Sequence, residues 1–349
     1  MNIQPKYCVG LNGRPGNIEA ILEQRGKDIY EVYAAAPPDI CTSGRRGHIP
    51  VDMRELKRQV RLAHQYRVRY NVVMNGSCLG GIEFSNQFQK KMKDFIQYLD
   101  DIEADSTTIM NPFLVDIVRK TSKCIEIIVS SFAEVAEPVK LARFKTRGAN
   151  RVVLHQNIYR NFEMLKTICH STDLPLEIIP NQGCLNQCEC FISHNNIVSH
   201  SSTAEDKEFM DMGNYNFPIQ RCRTIRQKDP IEFLMSCFIR PEDLHMYEEL
   251  GFTLFKFAGR RSSTEWMLNV LNAYILRRYE DNLFDLSSHV GDHGGFPGKI
   301  GNLPNNVLDG WFQFMGSNAD HKRFYEKAKE FSQTRQIDTY FNNATTMGQ

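Results

Sequence analysis

Three cysteines and two histidines crowd the stretch IIPNQGCLNQCECFISHNNIVSH (178–200): Cys184, Cys188, Cys190, His194 and His200. A fourth cysteine, Cys222, returns about thirty residues later in IQRCRTIRQKDP. Thiolates on one excursion of chain can converge on a soft metal, and four of them satisfy zinc or an iron–sulfur cluster. The spacing matches neither the paired C-x2-C of a zinc ribbon nor the compact cysteine run of a bacterial ferredoxin, so it points to a metal without naming one. A second chemistry makes one cysteine a nucleophile with His194 or His200 as its base. It needs a single thiol and leaves the others unexplained. Thiols without any role are a third reading, weakened by polar neighbours that offer little core to fill. His194 and His200 are six apart, which suits substrate contacts or supporting hydrogen bonds better than a paired zinc site on one helical face.

The rest of the composition narrows the setting. The 349 residues carry 42 basic and 41 acidic side chains, a formal net charge of +1. That balance excludes the electrostatic footprint of a protein that binds large nucleic acids. The N-terminal stretch lacks the apolar segment of a signal peptide, and no run reaches the roughly 18 apolar residues of a membrane span. The expected location is the cytoplasm, away from membranes. Ten cysteines in that compartment imply metal or catalysis rather than a disulfide framework. Cys8, Cys124 and Cys169 lie in apolar segments and are expected to pack as small hydrophobes.

The elements that must position these residues show as short apolar runs alternating with amphipathic helical patterns. The runs are YCVGL from Tyr7, IYEVYAA from Ile29, RYNVVMN from Arg69, STTIMN from Ser106, IEIIVSS from Ile125, RVVLHQN from Arg151, LEIIPNQ from Leu176, IEFLMSCFI from Ile231 and TLFKFAG from Thr253. Helices are expected at Met53 to Tyr66, Asn86 to Leu99, Val135 to Arg147 and Glu242 to Leu250. The alternation predicts a (β/α)8 TIM-like barrel over residues 1–283, in which one of the nine runs is a helix, an edge strand or part of an excursion. Several runs end on polar residues, namely Asn75, Asn111, Ser131, His155 with Gln156, and Asn181 with Gln182. In a barrel these would ring the C-terminal face; Asn111, before Pro112, could equally cap a helix. Residues 181–229 break the rhythm as a long cysteine-bearing excursion at that face. Residues 284–349 are expected to form a loop, with His289 and His293, and a helix from Ala319 to Gln333 packed on the barrel.

The excursion followed by RCRTIRQKDPIEFLMSCFIRPEDLHMYEELGFTLFKFAGRRSSTEW resembles the collagenase-like peptidase U thirty-two superfamily, in particular its short single-domain members. NVVMNGSCLG at Asn71 to Gly80 and NNVLDGWFQF at Asn305 to Phe314 resemble further pieces of that pattern. The resemblance implies a (β/α)8-like barrel and, as in some relatives, a 4Fe-4S cluster held by Cys184, Cys188 and Cys222. Such relatives are oxygen-independent hydroxylases of ubiquinone precursors or RNA bases. Two departures leave the fourth ligand open: Pro218 stands where relatives often have a cysteine, and no cysteine follows LDGWFQF. Cys190, Cys237, Cys41 and Cys78 are the candidates. An iron with a free position would act as a Lewis acid.

The function expected is therefore iron–sulfur redox chemistry, such as hydroxylation, on a small-molecule or peptide-borne substrate. His194, His200, Arg240 and Arg260 would handle that substrate, and an electron donor or homologous subunit would be the partner. Arg221 and Arg223 offer further anion contacts, and Lys256 or Arg260 should face the barrel mouth. The alternatives are a metal or cysteine peptidase, and a non-catalytic subunit whose cluster, or zinc, holds the excursion for docking.

Overall fold

The computed structural model describes residues 5–37, 39–40, 43–44, 49, 51–200, 202, 217–229, 231–288, 301–311 and 321–341. Eight parallel strands close into a barrel in sequence order: β1 (Lys6–Gly10), β2 (Ile29–Ala35), β3 (Arg69–Met74), β4 (Ser106–Ile109), β5 (Glu126–Val129), β6 (Arg151–Val153), β7 (Leu176–Ile178) and β8 (Leu254–Phe257). β8 returns to β1 with Tyr7 beside Phe255, so no edge is left. This is the (β/α)8 barrel expected, and eight of the nine apolar runs supply its strands.

The outer helices are α1 (Asn17–Arg25), α2 (Met53–Gln65), α3 (Asn86–Asp101), α4 (Pro112–Thr121), α5 (Pro138–Thr146) and α6 (Phe162–His170). Each begins where its sequence can start a helix. Ser85 accepts from the Phe88 amide, and Asn111 accepts from the Phe113 amide with Pro112 in the first turn, satisfying donors that the helix leaves open. α5 starts at Pro138 rather than Val135, with the proline in its first turn, where its missing N–H leaves no donor unsatisfied.

The period of two along each strand sorts side chains between two cores. Val32, Val72, Ile127, Val152 and Phe255 face the helices in the main core. Ile128, Val153 and Ile179 form a small apolar layer inside the barrel. Below it lies a polar layer in which Arg151 binds Glu31 at 2.5 Å and approaches Glu177 at 3.9 Å. Ser106 donates to Glu31 and receives a bond from Asn71. Cys8 is buried beside Arg151, 3.8 Å from its guanidinium, so it packs in polar company. Cys169 is half-buried, and Cys124 is exposed and so is not core.

The ninth run is a helix. After α7 (Phe191–His200) and α8 (Phe217–Lys228) in the excursion, Ile231–Met235 forms α9, on the outside of a barrel that eight strands have already closed. Short apolar runs read alike as buried strand or buried helix, and here the packing decides. Phe233 stacks edge-on with Phe284 and Phe341, and Trp311 donates to the Leu234 carbonyl at 2.9 Å. Then come α10 (His245–Glu249), α11 (Thr264–Leu276) and α12 (His321–Arg335), the last carrying Phe324 and Ala328 into the main core. Cys41, His289 and His293 lie outside the described residues. Among the described residues no helix is long and apolar enough to cross a membrane.

Candidate active site at the barrel mouth

The C-terminal ends of the strands enclose a small cavity of about 60 Å³, open to solvent at its mouth. Its wall includes Tyr33, Asn75, Ser130, Gln182, Lys256 and Arg260. Lys256 on β8 places its ammonium 4.3 Å from the centre of the Tyr33 ring, and the Arg260 guanidinium stands 5.6 Å from the same ring, both within cation–π range. Gly10 makes this stack possible, because a Cβ there would meet Arg260 Cγ at 2.6 Å and the Tyr33 ring at 3.0 Å. Asn75 accepts from the Gly44 amide at 2.9 Å and donates to Ser130.

The polar residues at the strand ends divide in their work. Asn75, Ser131 and Gln182 line the cavity. Asn111 caps α4. Asn181 bonds both the carbonyl and the amide of Ala258 at 2.8 Å and pins β7 to β8 above the ladder. His155 is buried edge-on to Phe191. Burial pushes its pKa down to about 4, so the ring is neutral at pH 7.

The excursion folds back beside this mouth. Cys184 and Cys188 lie in the turns after β7, Cys190 directly precedes α7, and Cys222 sits on α8. The two ends of the excursion meet, with Arg221 pairing to Glu189 at 2.8 Å and the buried Arg226 donating to the Gly183 carbonyl. The thiols are in one another's electrostatic reach. Burial pushes Cys188 up to about 11, with the nearby Cys184, Cys222 and Cys190 adding to the rise. Burial likewise raises Cys222, and Cys184 and Cys190 add to it while Arg226 opposes it. Gln182 donates to the Cys184 sulfur at 3.3 Å, so the thiol group borders the cavity. Among the described residues no three His, Cys, Asp or Glu side chains close on a point that could hold one metal ion.

The remaining candidates separate. Cys237 is buried and donates its thiol to the Gln182 carbonyl at 2.9 Å; burial, then its hydrogen bond to Cys184, keeps that thiol far above its ordinary pKa. His194 is half-buried on α7, its amide bonded to the Cys190 carbonyl. His200 places Nε2 3.1 Å from the Cys78 sulfur. Sequence reasoning named both residues without pairing them, because 122 positions separate them.

Arg260 lines the cavity, but Arg240 does not. Arg240 makes two bonds to Asp243 at 2.5 and 2.9 Å and reaches Asp309 and the Asn305 carbonyl at 2.9 Å. These bonds fasten the C-terminal segment to the barrel at a point outside the cavity wall. Arg221 is half-exposed in its surface pair with Glu189. Tyr33 went unnoticed as a site residue, although its place two positions beyond Glu31 on β2 sets it on the inner side of the barrel.

Comparison with known proteins agrees with this architecture. The chain is 31% identical over 300 residues to a Methanocaldococcus jannaschii protein described as an uncharacterized protease, covering 86% of each. The solved structure of the U32 peptidase Mk0906 superposes with a TM-score of 0.57, covering 74% of this chain and 94% of that one at 17% identity, a likeness of fold. Residues 18–288 match the family described as Peptidase family U32 and take in all eight strands but β1 together with every cysteine around the mouth; the chain belongs to that family.

Proposed function

We propose that this chain is an enzyme acting at its barrel mouth, with an iron–sulfur centre held by Cys184, Cys188, Cys190 and Cys222 and redox chemistry, such as hydroxylation, on a small-molecule or peptide-borne substrate. The support for this reading is that Cys184, Cys188, Cys190 and Cys222, from both ends of one excursion, lie within one another's electrostatic reach, with Cys184 bonded to Gln182 on the wall of a cationic cavity. Buried thiols that raise one another's pKa resist ionising unless a cation compensates them. Cys190 fits as fourth ligand better than Cys237, because it acts on both Cys188 and Cys222. A bound cluster supplies electron transfer or, with an open iron position, Lewis-acid polarisation of a substrate oxygen. The protein's own part is to orient substrate with Lys256 and Arg260.

Anaerobic purification tests this directly. About four irons and four sulfides per chain are expected, falling sharply in Cys184→Ser and Cys222→Ser. Stoichiometric zinc, or full activity without iron, would overturn it.

A second reading, a thiol-dependent peptidase, has its own support. The family name and the description of the Methanocaldococcus relative favour it more directly than redox chemistry. The Cys78–His200 contact provides the geometry of a nucleophile and its base. Peptide hydrolysis lost in Cys78→Ala and retained in Cys184→Ser would select it.

A further inference from the structure

We infer that the mouth cavity is a subsite for a small ligand presenting an oxyanion, a carboxylate or a phosphate monoester, with Lys256 as its anchor. Lys256 is only 7% exposed, and among the described residues its ammonium has no hydrogen-bond acceptor. A buried ammonium is costly unless something accepts its protons. The Tyr33 ring faces it but takes no hydrogen bond in the plane of an acceptor. The carboxylate that senses Lys256 through space is Glu31; its Oε2 is bound by Arg151 and Ser106, while Oε1, like both oxygens of Glu177, has no hydrogen-bond partner among the described residues and makes no bond to Lys256. Glu177, the other acid of that layer, lies on the Arg151 side at 3.9 Å.

The cavity wall completes the case. Among the described residues it contains two cations, Lys256 and Arg260, with neutral polar and apolar groups and no Asp or Glu. Ser130 and Ser131 also line the cavity. Gln182 is 3% exposed; one end of its amide is committed to Cys184, while Oε1 has no partner among the described residues. A ligand carrying a hydroxyl or N–H donor near its oxyanion would satisfy Lys256 and Gln182 at once. Such a site is built for one charged group rather than for a polymer backbone, since its cations are buried inside the rim.

The inference rests on the proposed function only in placing the active site at the mouth, and it requires neither iron nor turnover. The test is calorimetric titration of inorganic phosphate and of succinate into the full chain, against chloride at equal ionic strength. Binding of at least one anion is expected, weakened about ten-fold or more in Lys256→Met. Phosphate alone identifies a phosphate ester as the ligand class, and succinate alone a carboxylate. Protection of Lys256 from acetylation, read by mass spectrometry on the unaltered chain, serves if the variant does not fold. No anion binding, or equal affinity in the variant with no protection, would overturn the inference. Iron-free protein that still binds the anion separates this outcome from failure of the iron–sulfur reading.

Discussion

The Cys78 sulfur lies 3.1 Å from His200 Nε2, joining the loop after β3 to the last residue of α7. The neighbours fix this contact from both sides. The Ser77 amide donates to Ser199 Oγ at 2.8 Å, and the Ser77 hydroxyl donates to Asn196 at the same distance. Whatever the reaction at the mouth, the excursion is buttoned to the barrel here.

An imidazole within hydrogen-bond reach of a thiol can take its proton, and the thiolate is the reactive form. Loss of this hydrogen-bond partner in His200→Gln is therefore expected to slow alkylation of Cys78 by iodoacetamide several-fold. Mass spectrometry of the labelled peptide reads the rate. Equal rates in the two proteins would reduce the contact to packing.

Arg240 yields a stability prediction. Its guanidinium and Asp243 are both largely buried and bonded twice, and Asp309 adds a third carboxylate contact. Removing one member of a buried pair strands the other, at a cost of about 3–5 kcal/mol. Arg240→Met should lower the urea midpoint accordingly and loosen the C-terminal segment that Asn305 and Asp309 anchor. A variant that keeps wild-type stability but loses substrate affinity would restore Arg240 to the active site.

These two residues show where the sequence could be read and where it could not. Strand after strand was legible because parallel strands buried on both sides leave continuous apolar runs, and the period of two places Glu31 and Tyr33 on one side. The thiol group was legible because cysteines in a polar stretch have no packing reason to be there. Arg240 was not, because an arginine beside PED reads the same whether it meets a ligand or Asp243. Which of the nine runs would be the helix was not legible for a related reason: closure at eight strands is a property of the whole sheet, and no local pattern in IEFLMSCFI records it.

Gly10 gives a test of the cationic stack. A Cβ at this position would stand 2.6 Å from Arg260 Cγ, closer than contacting carbons tolerate. Gly10→Ala must displace Arg260 or Tyr33, because β1 is held on both sides by β2 and β8. The expected result is weaker phosphate or succinate binding with a stability loss of about 1–3 kcal/mol from overpacking. Unchanged binding would show that Arg260 contributes nothing to the cavity.

His155 makes the stability of the metal-free chain depend on pH. Burial lowers its pKa to about 4 from the ordinary histidine value of 6.5. Between those values the unfolded chain binds a proton that the folded chain excludes, so stability falls as the pH falls. The contribution is fully present above the unfolded value, is lost through the window down to about 4, and changes no further below it. The total is about 3 kcal/mol at 1.36 kcal/mol per unit. In His155→Leu, which cannot titrate, that component of the acid sensitivity should vanish. Urea unfolding of both proteins at several pH values across the window measures it, and a wild-type-minus-variant difference that stays flat with pH would show that the imidazole is solvated rather than buried.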